Sequence, residues 1–213
     1  MKARANDREF KGYGIAKTGL KPVYPEAFAC SPLTSLYASW IDVDGGRRSE
    51  KHSGVDGGRL GEPVLAPGPG VVVAAWEGDS GWGAEGALLL LHTAAELNLA
   101  DGAPYYYSAF DHLRFEEVAT YTPGQRIARG EVLARVFRPG GKRKYLPEVH
   151  WEVWEVHDPN AITWGTNRRG KPDWTNGTAE LIDPLYLLSR NTPPDADFGA
   201  PITPFEAGKD YRR

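Results

Sequence analysis

The sequence predicts a mainly β fold with long loops and few short helices, and three observations carry that expectation. The 25 glycines and 17 prolines are spread along the chain, marking many tight turns rather than one linker. Between them stand short apolar or β-branched runs, each bounded by Gly, Pro or Asp. Helical signals are sparse: a turn at Thr93 to Leu97, and a short segment opened by Asp183-Pro184-Leu185 and running through Leu188, where proline suits a helix start.

In chain order, residues 1–45 show no clean helical period and read as an extended lead-in, closing on the turn signal Asp42-Val43-Asp44-Gly45-Gly46. Strand-like runs follow at Pro63 to Ala66, Gly70 to Trp76 and Ala87 to His92. Tyr105 opens another running towards Phe110, and the turn Pro123-Gly124-Gln125 precedes Arg126 to Ile127 and Val132 to Phe137. Val149, Trp151 and Val153 alternate with Glu148, His150 and Glu152, so a strand here places bulky apolar groups on one face and polar groups on the other. The stretch from Asp158 to Thr178 reads as a long loop, rich in Asn, Gly, Pro and Thr. The 213 residues suit a single domain, placed at 46–190, with a Pro-rich tail at 191–213.

Charge and cysteine content narrow the chemistry. A formal net charge of -3 gives no global field drawing the chain to nucleic acid or an anionic membrane. Cys30 is the only cysteine, which excludes an intrachain disulfide and a cysteine-rich zinc cluster, so a metal site must be built from His, Asp or Glu. No stretch approaches the roughly 18 apolar residues of a membrane span, and Met1 to Leu20 lacks the apolar centre of a secretory signal.

The five histidines are His52, His92, His112, His150 and His157. His52 and Asp56 sit four apart in His52-Ser53-Gly54-Val55-Asp56-Gly57-Gly58, where glycines let the backbone curl so that imidazole and carboxylate converge on one ion. Alone, such a pair more often ends as a surface hydrogen bond. Its company is what matters: Gly61-Glu62-Pro63-Val64, Gly68-Pro69-Gly70-Val71-Val72, Leu88 to His92, Tyr107 leading to Asp111-His112-Leu113, Gly124-Gln125-Arg126-Ile127 with Gly130, and Val149-His150-Trp151-Glu152. This ordered set, from His52 to Leu188, resembles the M23 metallopeptidase family, also called LytM-like or lysostaphin-like.

The resemblance implies an antiparallel, barrel-like β domain of the LytM and duplicated-hybrid-motif kind, with a groove. It implies one Zn2+ ion held by His52, Asp56 and His150, and hydrolysis of peptide bonds in bacterial peptidoglycan, the cross-bridge or the stem peptide. Peptidoglycan peptides, and another cell-wall hydrolase, are then the partners, and the periplasm or the cell exterior is the compartment. His112 matches the family's catalytic histidine, which orients water or stabilises charge on the attacked carbonyl oxygen. The chain departs from the family's His-x-His at Glu148-Val149-His150. Glu148 shares a strand face with His150 and can act as general base, as glutamate does in other zinc peptidases. The carboxylate also makes the site more neutral, or closes it as a fourth ligand.

Plainer roles stand beside these. His92, ending an apolar strand, reads as a structural histidine, His157 as a turn residue, and Glu152 as a group orienting a metal-bound neighbour. Tyr105 to Tyr107 read first as packing, Lys142-Arg143-Lys144 as a solvated loop, Trp164 and Trp174 as loop residues, and Asn176-Gly177-Thr178 as a glycosylation sequon of little weight in a bacterial protein. Two readings compete with the zinc endopeptidase. One is a catalytically impaired LytM-like module that binds the wall or regulates another hydrolase. The other is a lipoyl- or biotinyl-type carrier, suggested by the Gly-x-Pro-Val pattern but lacking an exposed modified-lysine turn.

Overall fold

The computed structural model describes residues 33–35, 37–38, 40, 47–58, 60–78, 85–99, 102–138, 147–161 and 179–184. Its framework is a set of antiparallel strands, and the strand-like runs of the sequence fall on them. In order they are β1 (Leu33–Ser35), β2 (Val55–Gly57), β3 (Pro63–Leu65), β4 (Gly70–Glu77), β5 (Glu85–Thr93) and β6 (Tyr105–Arg114). Then come a short helix, α1 (Phe115–Val118), and β7 (Arg126–Ile127), β8 (Val132–Arg135), β9 (Val149–Val156) and β10 (Ala179–Ile182). Among the described residues a 3-10 turn, Pro159–Ala161, follows β9. Cys30, Lys142 to Lys144, Trp164, Trp174, Asn176 and Leu185 to Leu188 lie outside the described residues.

Eight strands form one sheet in the order β1-β2-β9-β6-β5-β4-β7, with β10 also paired to β9, and β3 pairs with β8 in a second, two-stranded sheet. The strand β9 is the hinge of this arrangement. Its first residues pair with β2, with Val55 opposite Trp151 and Asp56 opposite His150. Its later residues pair with β10, and its other edge runs along β6. The stretch read as a lead-in contributes β1 to the same sheet.

Alternation along β9 and β6 gives the sheet two unlike faces. Val149, Trp151 and Val153 join Tyr106, Phe110 and Leu88 in the main core. On the opposite face Trp154 and Val156 join Leu89, Tyr107 and Ala109 in a smaller cluster. The tyrosine run is thus divided by packing, Tyr106 to one cluster and Tyr107 to the other. His150 and Glu152 share the second face with Trp154 by period, so a polar end and an apolar end meet on one strand.

Two departures from regular pairing shape the polar end. Opposite Gly86 and Leu88 of β5 stand Leu113 and Phe110 of β6, so β6 carries one extra residue there. That bulge contains His112, whose φ of 62° is the left-handed conformation a non-glycine residue rarely takes. The second departure concerns Gly54. It keeps an ordinary negative φ, so it does not curl the chain as expected; a Cβ there would come within 2.2 Å of the Trp151 carbonyl oxygen. Gly54 acts by letting the His52 to Asp56 segment press against β9.

Candidate metal centre

Cross-strand neighbours on one face of a sheet place their side chains together. Asp56 is opposite His150 in the β2–β9 pairing, and Asp111 is opposite His150 in the β6–β9 pairing. His52, just before β2, completes the group: the ligand atoms of His52, Asp56 and His150 all lie within 4.8 Å of one another, and all three residues are buried. Asp56 Oδ1 is 2.7 Å from His150 Nδ1, and Asp56 Oδ2 is 3.0 Å from His52 Nε2. The two ring nitrogens are 3.1 Å apart.

These contacts close a triangle that protons alone cannot satisfy. Each ring nitrogen carries either one hydrogen or one lone pair. A nitrogen that donates to Asp56 has nothing left for the other nitrogen, so at least one edge of the triangle lacks a hydrogen bond. Three electron-pair donors aimed at one point are what a cation requires. A tetrahedral ion bound at about 2.0–2.1 Å sets its ligands roughly 3.3 Å apart, close to the spacings here. Two imidazoles and a carboxylate, with no sulfur, are the donor set of a zinc site that keeps a position open for water or substrate. Glu148, half-buried just before β9, is not in the convergent group.

The surroundings fix this set. His150 presents its other nitrogen, Nε2, to Glu152 Oε1 at 2.9 Å. Ser53 Oγ donates to the same carboxylate oxygen, and Arg48 reaches Asp56 Oδ2 at 3.6 Å. Burial alone would push the His150 pKa down, yet the Asp56 charge and hydrogen bond, with Glu152, push it up to about 10. Burial would raise Asp56, but the two histidines hold it well below the ordinary carboxylate range. A metal ion bound here would have to displace a proton from His150.

His112 stands at the rim of the group, its ring edge-on to His150 with centroids 6.1 Å apart. Its Nδ1 lies 2.8 Å from Glu85 Oε1. Burial would lower its pKa, but that hydrogen bond and the charges of Glu85, Glu148 and Asp111 raise it. The Glu148 charge thus acts on His112. Glu85, Ser53 and Arg48 were not singled out from the sequence. Ser53 lies within the His52–Asp56 segment and could have been noticed there; Glu85 is 27 residues from His112 and no spacing rule links them.

His92 lies away from this group, at the other end of β5, with Nδ1 2.6 Å from the Pro69 carbonyl. His157 is exposed on the bend after β9.

The sequence model of peptidase family M23 matches residues 50–162, more than half of the chain, and spans His52, Asp56, His112 and His150. The chain belongs to peptidase family M23. No curated protein matches it. Among solved structures, the antimicrobial peptidase lysostaphin from Staphylococcus simulans is 18% identical, with a TM-score of 0.48, covering 87% of this chain and 59% of its own. The catalytic domain of lysostaphin is 20% identical over 74% of this M23 chain and 91% of its own, with a TM-score of 0.44. A zinc-containing peptidase from Vibrio cholerae is 22% identical, with a TM-score of 0.40; 66% of this chain is covered, and the chain spans 34% of that protein's length.

Proposed function

We propose that this M23 domain is a zinc-dependent endopeptidase that hydrolyses peptide bonds of bacterial peptidoglycan, in the cross-bridge or the stem peptide, in the periplasm or outside the cell. The observation that carries the reading is the buried convergence of His52, Asp56 and His150. Zinc held by three protein ligands keeps a place for water and lowers its pKa to roughly 7, supplying a nucleophile for a peptide carbonyl. Among the described residues no helix is long and apolar enough to cross a membrane.

The chain's own residues divide the remaining work. Asp56 and His150 fix each other at 2.7 Å, and Glu152 holds the far side of the His150 ring. His112, raised towards its protonated form and at the rim of the site, stabilises negative charge growing on the attacked oxygen. Glu148 takes the proton of the attacking water as general base, the role glutamate fills in other zinc peptidases.

A second reading has one observation in its favour. Glu148 stands where the family pattern has a histidine, so a donor is exchanged for a carboxylate and the metal's positive field is weakened. On that reading the domain binds the wall, or regulates another wall hydrolase, without cutting.

The deciding experiment incubates zinc-loaded protein with purified peptidoglycans of several cross-bridge types and identifies released fragments by mass spectrometry. New peptide ends that disappear in His150→Ala are expected, and they identify the bond. No release from any substrate, with zinc still bound, would select the binding reading.

A further inference from the structure

The carboxylate of Glu85 is buried at the start of β5, where it faces the one histidine of the site that belongs to no convergent ligand group. Burying a carboxylate carries a desolvation cost that a single partner does not fully return, so stability alone gives little reason for it. The neighbourhood is nonetheless shaped around it. Gly78 donates its backbone N–H to the Glu85 carbonyl at 2.8 Å, and a Cβ at Gly78 would lie 3.1 Å from Glu85 Cγ and Cδ. The absent side chain leaves the space that the glutamate occupies.

His112 is held with matching effort. The bulge in β6 turns it out of strand alternation, and its φ of 62° is a strained conformation for a residue with a Cβ. Strain of this kind persists only where surrounding contacts enforce it. One contact that holds the ring in this position is the 2.8 Å bond from His112 Nδ1–H to Glu85 Oε1. A carboxylate that accepts the Nδ1 proton fixes the orientation of the ring and makes Nε2 the nitrogen directed away from it.

We infer that Glu85 is a positioning residue for His112: it holds the proton on Nδ1, fixes the ring, and presents Nε2 to the substrate oxygen. This rests on the endopeptidase reading for its catalytic consequence. It makes the His112–Glu85 pair a second histidine–carboxylate unit, separate from the His150–Glu152 pair behind the proposed metal ligands.

The test uses the zinc-loaded full chain labelled with 15N-histidine, in wild-type form and as Glu85→Met, which fills the space without accepting a hydrogen bond, and Glu85→Gln, which keeps an acceptor. In the wild type, NMR is expected to show His112 protonated at Nδ1; an unprotonated Nδ1 overturns the inference without any variant. In Glu85→Met the His112 nitrogen shifts are expected to move. Its kcat on peptidoglycan should fall by on the order of 10- to 100-fold. KM should stay within about twofold, because an orienting contact acts on the chemical step rather than on binding. Zinc content should be unchanged, and Glu85→Gln should recover part of kcat. Unaltered shifts or an unaltered kcat in Glu85→Met, in a wild type that cuts, would overturn this inference alone. A wild type that cuts nothing removes the enzyme reading, and the positioning role with it.

Discussion

At one end of the sheet, in β9, His150 is buried between Asp56 and Glu152; at the other, in β5, His92 is buried against the carbonyl of Pro69. Burial pushes both pKa values down. At His150 two carboxylates reverse the effect and hold the value near 10, whereas at His92 burial prevails over the single Pro69 hydrogen bond and the value drops to about 4. The same residue type in the same sheet thus joins a cluster of carboxylates and imidazoles at one end and is held neutral by burial at the other. What differs is the company: at His150 two carboxylates outweigh burial, while at His92 burial outweighs the Pro69 hydrogen bond and the more weakly acting Glu96 charge. The face of β9 follows the same division, with His150 and Glu152 towards the metal group and Trp154 and Val156 in an apolar cluster.

The comparison can be broken most strongly at its apolar end. Trp154 is fully buried among Leu89, Tyr107 and Val156. Trp154→Ala is expected to cost about 3–5 kcal/mol of unfolding free energy, read from denaturant midpoints. If the two ends are independent, the variant should still bind zinc with near wild-type affinity wherever it is folded; a parallel loss of affinity would show that they are coupled.

Acid should next expose the neutral histidine. His92 has a folded pKa of about 4 against an ordinary 6.5, so between those values the unfolded chain binds more protons than the folded one. The His92 contribution is intact above pH 6.5 and is lost as pH falls towards 4, by about 3 kcal/mol in all. Urea unfolding of wild type and His92→Asn across this range isolates it. Equal pH slopes would mean that His92 is not held neutral.

The smallest effect lies behind the proposed metal ligands. Glu152→Gln keeps the shape of the side chain and removes the charge facing His150 Nε2. Zinc affinity, measured by competition with a chelator, should weaken by about 10- to 100-fold, or roughly 1.4–2.7 kcal/mol. No change would make Glu152 a packing residue and bring the two ends closer in character than they look.

Much of this fold can be read along the chain, because a strand long enough to show its period declares itself. Eight residues of β9 display alternation without reference to anything else, and β4, β5 and β6 are long apolar runs between turn residues. The three-residue β2, the four-residue α1 and the four-residue β10 are shorter than any period needs and are visible only through the strands they meet. His52 and Asp56 lie close in sequence, so their candidacy is local, and His150 joins them through the family's ordered motifs.

By itself, then, the sequence determined which groups are available, imidazole and carboxylate without thiol, and which residues of each long strand share a face. These depend on residue type and on the two-residue period of extended backbone. The tertiary structure decided which strands lie side by side and in what register: Asp56 opposite His150, an extra residue in β6 that turns out His112, and Glu85 brought to 2.8 Å from a histidine 27 residues away. Register is a property of pairs of strands, set by packing between distant segments, and no single strand carries it.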